Sequence, residues 1–220
     1  MGENIQLRAA DGHNLGAYLA RPEGKPRAGL VVLQEVFGVT AHIRRVTDAF
    51  AADGYLALAP ALFDRVAPGI ELDYSEVARG RDTMLQLDLE ASVLDIAAAV
   101  EAVGEAGNTG VIGYCWGGAM ADLAACKLDI AAAICYYGGR ITSWLELRPG
   151  CPVMYHFGKL DPLIPMEVVE QIRAARPDEQ FFIYPEAGHG FNCDERKDFH
   201  PASAALARQR SLDFLARHLG

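Results

Sequence analysis

The chain has 220 residues, 51% of them hydrophobic and 22% charged, enough for one domain with a sizeable buried core. Its 20 basic and 29 acidic side chains leave a net charge of −9, which repels phosphate backbones and argues against a nucleic-acid partner. No apolar run approaches the ~18 residues of a membrane span, and Met1–Arg8 lacks the basic stretch and apolar core of a secretory signal, so a cytoplasmic protein without a membrane partner is expected.

Short β-branched or aliphatic runs alternate with segments of helical periodicity. Ile5–Arg8 and Asn14–Leu19 flank Asp11-Gly12 and predict an opening hairpin. Gly29–Gln34 is a continuous apolar run of the kind a buried strand shows. His42–Ala52 reads as a helix stopped by Asp53-Gly54, and Tyr55–Ala59 as a strand ended by Pro60. Residues 61–75 contain Pro68-Gly69 and little periodicity, which predicts a loop, with a role as a lid left open. Helical spacing then covers Ser75–Val103, with a break expected near Asp88.

The scheme repeats with a strand at Gly110–Tyr114, a helix at Gly117–Lys127 and a strand at Ile130–Tyr137. A strand follows at Val153–Phe157, a helix at Met166–Ala175 and a strand at Gln180–Tyr184. A loop, Pro185–Pro201, leads to a closing helix at Ala202–Leu219. Such alternation implies one α/β domain over residues 1–220, a mostly parallel sheet with helices on both faces. No large cap domain is expected.

The five cysteines, Cys115, Cys126, Cys135, Cys151 and Cys193, are odd in number and irregular in spacing. No Cys/His metal-ligand spacing accompanies them, so free thiols and no metal or cofactor are expected.

In a parallel sheet, ligands bind beyond the carboxyl ends of the strands. The residues there are Glu35, Cys115, Asp161 and His189. Gly113-Tyr114-Cys115-Trp116-Gly117 has the form of a nucleophile elbow, G-x-S-x-G, with cysteine in place of serine. The nucleophile of such an elbow sits in a strained strand-to-helix turn, where side chains two residues to either side would collide. A helix N-terminus behind Cys115 would favour its thiolate. Gly188-His189-Gly190-Phe191, between the last strand and last helix, offers a general base. Asp161, in Gly158-Lys159-Leu160-Asp161-Pro162, offers the acid that orients it. Nucleophile, acid and histidine stand in the chain order of the α/β-hydrolase fold. The loop Gln34-Glu35-Val36-Phe37-Gly38 should supply one oxyanion N–H from Val36, with Trp116 giving the other. Glu35 is out of place there: a carboxylate beside an anionic intermediate needs a partner or a task.

At these segments, and at Tyr136-Tyr137-Gly138 and Gly188-His189-Gly190-Phe191-Asn192, the chain resembles the dienelactone hydrolases (carboxymethylenebutenolidases) from about Ile5 to Leu219. The resemblance implies an α/β-hydrolase fold, hydrolysis of an enol-lactone or activated ester through Cys115, His189 and Asp161, a thioester intermediate and no cofactor. It implies that Glu35 helps to deprotonate the thiol when substrate binds, and that the protein is a monomer. The family holds its substrate's carboxylate with arginines, one of them four residues after the catalytic histidine. Here that position is Cys193. Arg79, Arg81 and Arg196 are the substitutes, with Lys197 behind them, while Phe37, Tyr137 and Phe191 are candidate substrate contacts. Two alternatives stand beside this reading: a relative acting on a different ester or lactone, and a non-catalytic, thiol-sensing protein with the same fold.

Overall fold

The structure, a computed structural model, describes residues 2–220. Eight strands form one sheet: β1 (Glu3–Arg8), β2 (Asn14–Ala20), β3 (Gly29–Leu33), β4 (Leu56–Pro60), β5 (Thr109–Tyr114), β6 (Ala132–Tyr136), β7 (Val153–Gly158) and β8 (Gln180–Tyr184). Their spatial order is β1-β2-β4-β3-β5-β6-β7-β8. β1 pairs antiparallel with β2 and β2 with β4. Every pairing from β4 through to β8 is parallel. Strands β3 to β7 are buried at every position, as continuous apolar runs covered on both faces must be. β8, at the edge, is mostly half-buried.

Among the described residues there are six α-helices: α1 (Ala41–Ala52), α2 (Val77–Leu85), α3 (Leu89–Val103), α4 (Trp116–Lys127), α5 (Met166–Ala175) and α6 (Pro201–His218). α1 and α6 share one face, where Arg208 of α6 reaches Asp53 at the end of α1 at 2.6 Å. α3 and α4 pack together on the other face. Arg176 closes α5 and, almost wholly buried, pairs with Asp122 of α4 at 3.2 Å. This is the α/β-hydrolase architecture with no separate cap domain among the described residues. None of their helices is long and apolar enough to cross a membrane.

The expected break in the helical stretch is a helix start. Asp88 caps α3, its carboxylate accepting from the Ala91 N–H at 2.8 Å. The strand read as Ile130–Tyr137 stops at Tyr136, because Tyr137 takes a φ of 40°, which no strand residue can hold. Residues 61–75 carry a short 3₁₀ turn, Leu62–Arg65, with Leu62 and Phe63 buried. The Phe63 ring stacks on Trp116 at 5.6 Å. The segment therefore supports the residue after the elbow cysteine and does not cover the cavity in front of it.

The topology decides which loops meet. β3 and β5 are neighbours, with Leu33 opposite Gly113. The chain leaves β3 toward β4 on one side and returns to β5 on the other, so a crevice opens at their carboxyl ends. Glu35 and Cys115 leave the sheet side by side there, and β7 and β8 bring their own terminal loops from the same end.

Candidate active site

Cys115 has φ 55° and ψ −117°, and with Tyr137 it is one of two non-glycine residues with positive φ among the described residues. Such strain persists only where the surroundings over-determine it. Here they do. A Cβ on Gly113 would run into the Gly117 carbonyl, and one on Gly117 into the carbonyls of Leu33 and Gln34. The two glycines thus let the strand, the helix and the neighbouring β3 loop meet backbone to backbone. Hydrogen bonds pin the turn on both sides, from Cys115 N–H to the Tyr136 carbonyl at 3.0 Å and from Gly117 N–H to the Gln34 carbonyl at 3.1 Å. α4 begins at the next residue, so its positive N-terminal end lies at the thiol.

The Sγ of Cys115 is 3.2 Å from His189 Nε2, and His189 Nδ1 is 2.7 Å from Asp161 Oδ2. A carboxylate only accepts, so Nδ1 carries a proton and Nε2 faces the thiol. Asp161 is itself held: its other oxygen accepts from the N–H groups of Leu163 and Ile164 at 2.8 and 3.1 Å. The edge-on ring of Tyr137 lies 5.2 Å from the His189 ring. Burial opposes a charge on His189, but the Cys115 sulfur and the Asp161 hydrogen bond outweigh it, and its pKa is pushed up to about 10.

The amides of Val36 and Trp116 make no hydrogen bond within the chain among the described residues, and both residues line the cavity that holds Cys115. They are free to face an oxyanion. Glu35 is only 1% exposed. Its Oε1 accepts from Arg196 Nη1 at 3.1 Å, and its Oε2 has no partner. The partner that a carboxylate in this loop requires is therefore Arg196, whose guanidinium also lies over the Phe37 ring at 5.6 Å.

The cavity in front of Cys115 measures about 470 Å³. Of the candidate substrate contacts, Phe37, Tyr137, Arg81 and Arg196 line it. Arg79 does not: it points away on α2 and pairs with Glu76 at 2.9 Å. Lys197 is not in the lining either, and Phe191 is buried behind it, packed on Tyr137 and Tyr184. One lining residue escaped the sequence reading. Arg140, just past the Gly138-Gly139 turn after β6, enters the cavity wall, and its only hydrogen-bond contact among the described residues is with the Met84 sulfur at 3.9 Å. The signal was present as a lone arginine at a strand end. Arg81 likewise has no ion-pair partner among the described residues. Three exposed or part-exposed apolar side chains, Val77, Leu85 and Leu163, form the rim around these cations.

The sequence model of the dienelactone hydrolase family matches residues 15–219. A carboxymethylenebutenolidase of Pseudomonas putida is 35% identical over 227 aligned positions, covering 97% of this chain and 96% of that one. Another, from Pseudomonas knackmussii, matches equally. Among solved structures, a Klebsiella pneumoniae protein assigned to the dienelactone hydrolases superposes with a TM-score of 0.84 at 29% identity, covering 98% of this chain and 99% of that one. A dienelactone hydrolase-like promiscuous phosphotriesterase from metagenomic libraries shares the fold, with a TM-score of 0.77 at 20% identity over 100% of this chain and 99% of that one.

Proposed function

Because the chain belongs to the dienelactone hydrolase family and is an ester or lactone hydrolase, we propose that Cys115 is its nucleophile, His189 its base and Asp161 the residue that orients the base. The observation that carries this is the unbroken line from Sγ through the imidazole to the carboxylate, at 3.2 and 2.7 Å. Cys115 attacks the carbonyl carbon as thiolate, and the N–H groups of Val36 and Trp116 hold the oxygen that becomes negative. Collapse of this adduct breaks the acyl C–O bond, leaves a thioester and expels an enolate, which takes up a proton. With the sulfur acylated, its charge no longer holds the proton on His189, which passes it to the enolate and, as neutral imidazole, draws one from the water that attacks the thioester and frees Cys115. A thiolate is itself a good leaving group. The route therefore suits substrates whose own leaving group is stable, such as an enol-lactone or activated ester, more than an amide. No cofactor enters these steps.

Glu35 acts through Arg196 in this reading. A substrate carboxylate that reaches Arg196 competes with Glu35 for the guanidinium. The released carboxylate can then take the thiol proton. Arg196 thus stands in for the arginine expected at position 193, with Arg81 and Arg140 as further cations in the same cavity. The apolar rim suits a substrate whose body is hydrophobic and whose charge is confined to one end. The substrate is a small molecule, and a cytoplasmic monomer is the form proposed for the enzyme.

The test is Cys115→Ala, assayed on a dienelactone and on p-nitrophenyl acetate. Turnover is expected to fall by at least about 10³-fold on both. Undiminished turnover of both overturns the assignment. A thiol sensor would instead give no ester cleavage in the unaltered protein and a reversible adduct on Cys115.

A further inference from the structure

We propose that Arg140 and Arg81 form a second anion subsite, apart from Arg196, and that the charged end of the substrate carries two carboxylates and not one. The inference rests on the reading of this cavity as the substrate site of a hydrolase, and adds the class of molecule it takes. The two arginines come from different walls. After β6 the backbone leaves strand geometry at Tyr137, and Arg140 sits on the 3₁₀ turn Gly139–Trp144 that follows. Arg81 is on α2, which docks backbone to backbone on the oxyanion loop: a Cβ on Gly80 would run into the Val36 carbonyl. Met84 is three positions further along α2, on the same face as Arg81. The walls meet at Met84, whose sulfur lies 3.9 Å from Arg140 Nη1. Arg81, Met84 and Arg140 all line the cavity in front of Cys115.

The charges on these walls are unbalanced. The chain has 29 acidic side chains for 20 basic ones, and Arg44, Arg45, Arg65, Arg79 and Arg176 each pair with a carboxylate. Arg140 instead rests on a thioether, a weak acceptor, and Arg81 makes no ion pair among the described residues. Among the described residues, the cavity lining holds three arginines and one histidine but no aspartate or glutamate. Arg196 is matched by Glu35 at 3.1 Å. That leaves two guanidiniums on either side of one methionine, with no carboxylate between them to offset their repulsion. A cleft lined by one sign of charge concentrates ions of the other.

The turn that carries Arg140 also supplies neutral donors. Thr142 and Ser143 line the same cavity. The Thr142 hydroxyl makes one long bond, 3.4 Å, to the Gly139 carbonyl, and the Ser143 hydroxyl makes none among the described residues. A guanidinium holds a planar carboxylate by two parallel N–H bonds, and a hydroxyl can donate to a lone pair left over. A carboxylate that displaces Glu35 satisfies Arg196 alone and leaves Arg81 and Arg140 as they were. A second carboxylate at the same end of the molecule satisfies them too, and the hydrophobic body of the substrate still lies against the apolar rim.

The experiment compares two unreactive ligands of one shape, butylsuccinate and its mono-amide, which differ by one negative charge. Their binding to the full chain is measured by titration calorimetry at about pH 8, where both carboxylates of butylsuccinate are ionised. Butylsuccinate is expected to bind at least about 10-fold more tightly than the mono-amide. Arg140→Gln should reduce that ratio to about 3-fold or less, and should leave the affinity for the mono-amide within about 3-fold of its starting value. Arg81→Gln, at an exposed position, should shrink the ratio in the same way and serves alone if the Arg140 variant does not fold. Equal affinity for the two ligands overturns the proposal, as does failure of butylsuccinate to bind. A preference that survives both replacements also overturns it, since Arg196 would then be holding the second charge. No readout is catalytic, so the result stands or falls separately from the assignment of Cys115 as nucleophile.

Discussion

Replacing Arg196 with methionine removes one half of the buried ion pair and keeps most of the side chain's length. Glu35 has a side chain only 2% exposed, Arg196 one 13% exposed, and the contact is 3.1 Å. One oxygen of the carboxylate already lacks a partner, so the variant leaves Glu35 with no hydrogen bond from a side chain to either oxygen. Breaking a buried pair from one side costs about 3–5 kcal/mol, because the remaining charge stays desolvated. Of this, roughly 0.5–1 kcal/mol is the lost cation–π contact with Phe37. For a chain of this size each kcal/mol moves the melting temperature by about 2–4 °C, so a fall of about 6–20 °C is expected. Urea unfolding of the single variant and of Glu35→Gln/Arg196→Met measures it. The double variant should recover most of the loss, since the unpaired charge is then gone. A single variant within about 1 kcal/mol of the unaltered protein, or a double variant no more stable than the single one, refutes the reasoning. It would mean that Glu35 is compensated by something other than Arg196.

Three further outcomes follow from the site. Gly113→Ala should cost at least about 2 kcal/mol or abolish folding, because its Cβ meets the backbone of Gly117 and no side-chain movement relieves it; soluble yield and urea unfolding read this, and a neutral substitution would mean that the elbow is looser than described. Arg140→Ala should lower kcat/KM about 10-fold for an ester with an anionic tail and leave p-nitrophenyl acetate unchanged; equal losses on both would place Arg140 in support of the fold. His189 is held at about 10 in the folded protein, against about 6.5 unfolded. A raised histidine pKa stabilises most fully below pH ~6.5, and this contribution is lost as pH rises through about 10. The urea midpoint should therefore fall between pH 7 and 10, and His189→Gln should flatten part of that slope; an unchanged slope would show that the imidazole gains no partner on folding.

What could be read from the residues, and what could not, divides along a physical line. The elbow was legible because its glycines answer a steric demand within five consecutive residues. Asp161 and His189 were legible because a parallel sheet delivers its strand-end loops to one edge, so position after a strand is enough to nominate them. Residues whose role depends on a distant partner were not. Glu35 looked misplaced until Arg196, 161 positions away, appeared against it. Arg79 and Arg81 are two positions apart on one helix, and therefore face different ways; only packing decides which meets the cavity. Arg140 depends on the turn after β6, where Tyr137 leaves strand geometry at φ 40°, a departure that tyrosine's own propensity does not announce.

The separation of Cys115 from His189, 74 positions along the chain, has a consequence for the protein's synthesis. The elbow can form once β3, β5 and β6 have paired, but the histidine proposed as its base comes from the loop after the last strand. At about 5–20 residues per second, roughly 4–15 s pass between translation of the cysteine and translation of the histidine. During that interval the growing polypeptide has the proposed nucleophile without its proposed base. On the proposed triad, a ribosome-bound fragment ending before β8 would be chemically quiet toward esters, and hydrolysis would begin only when the C-terminal fifth of the chain has been made and docked.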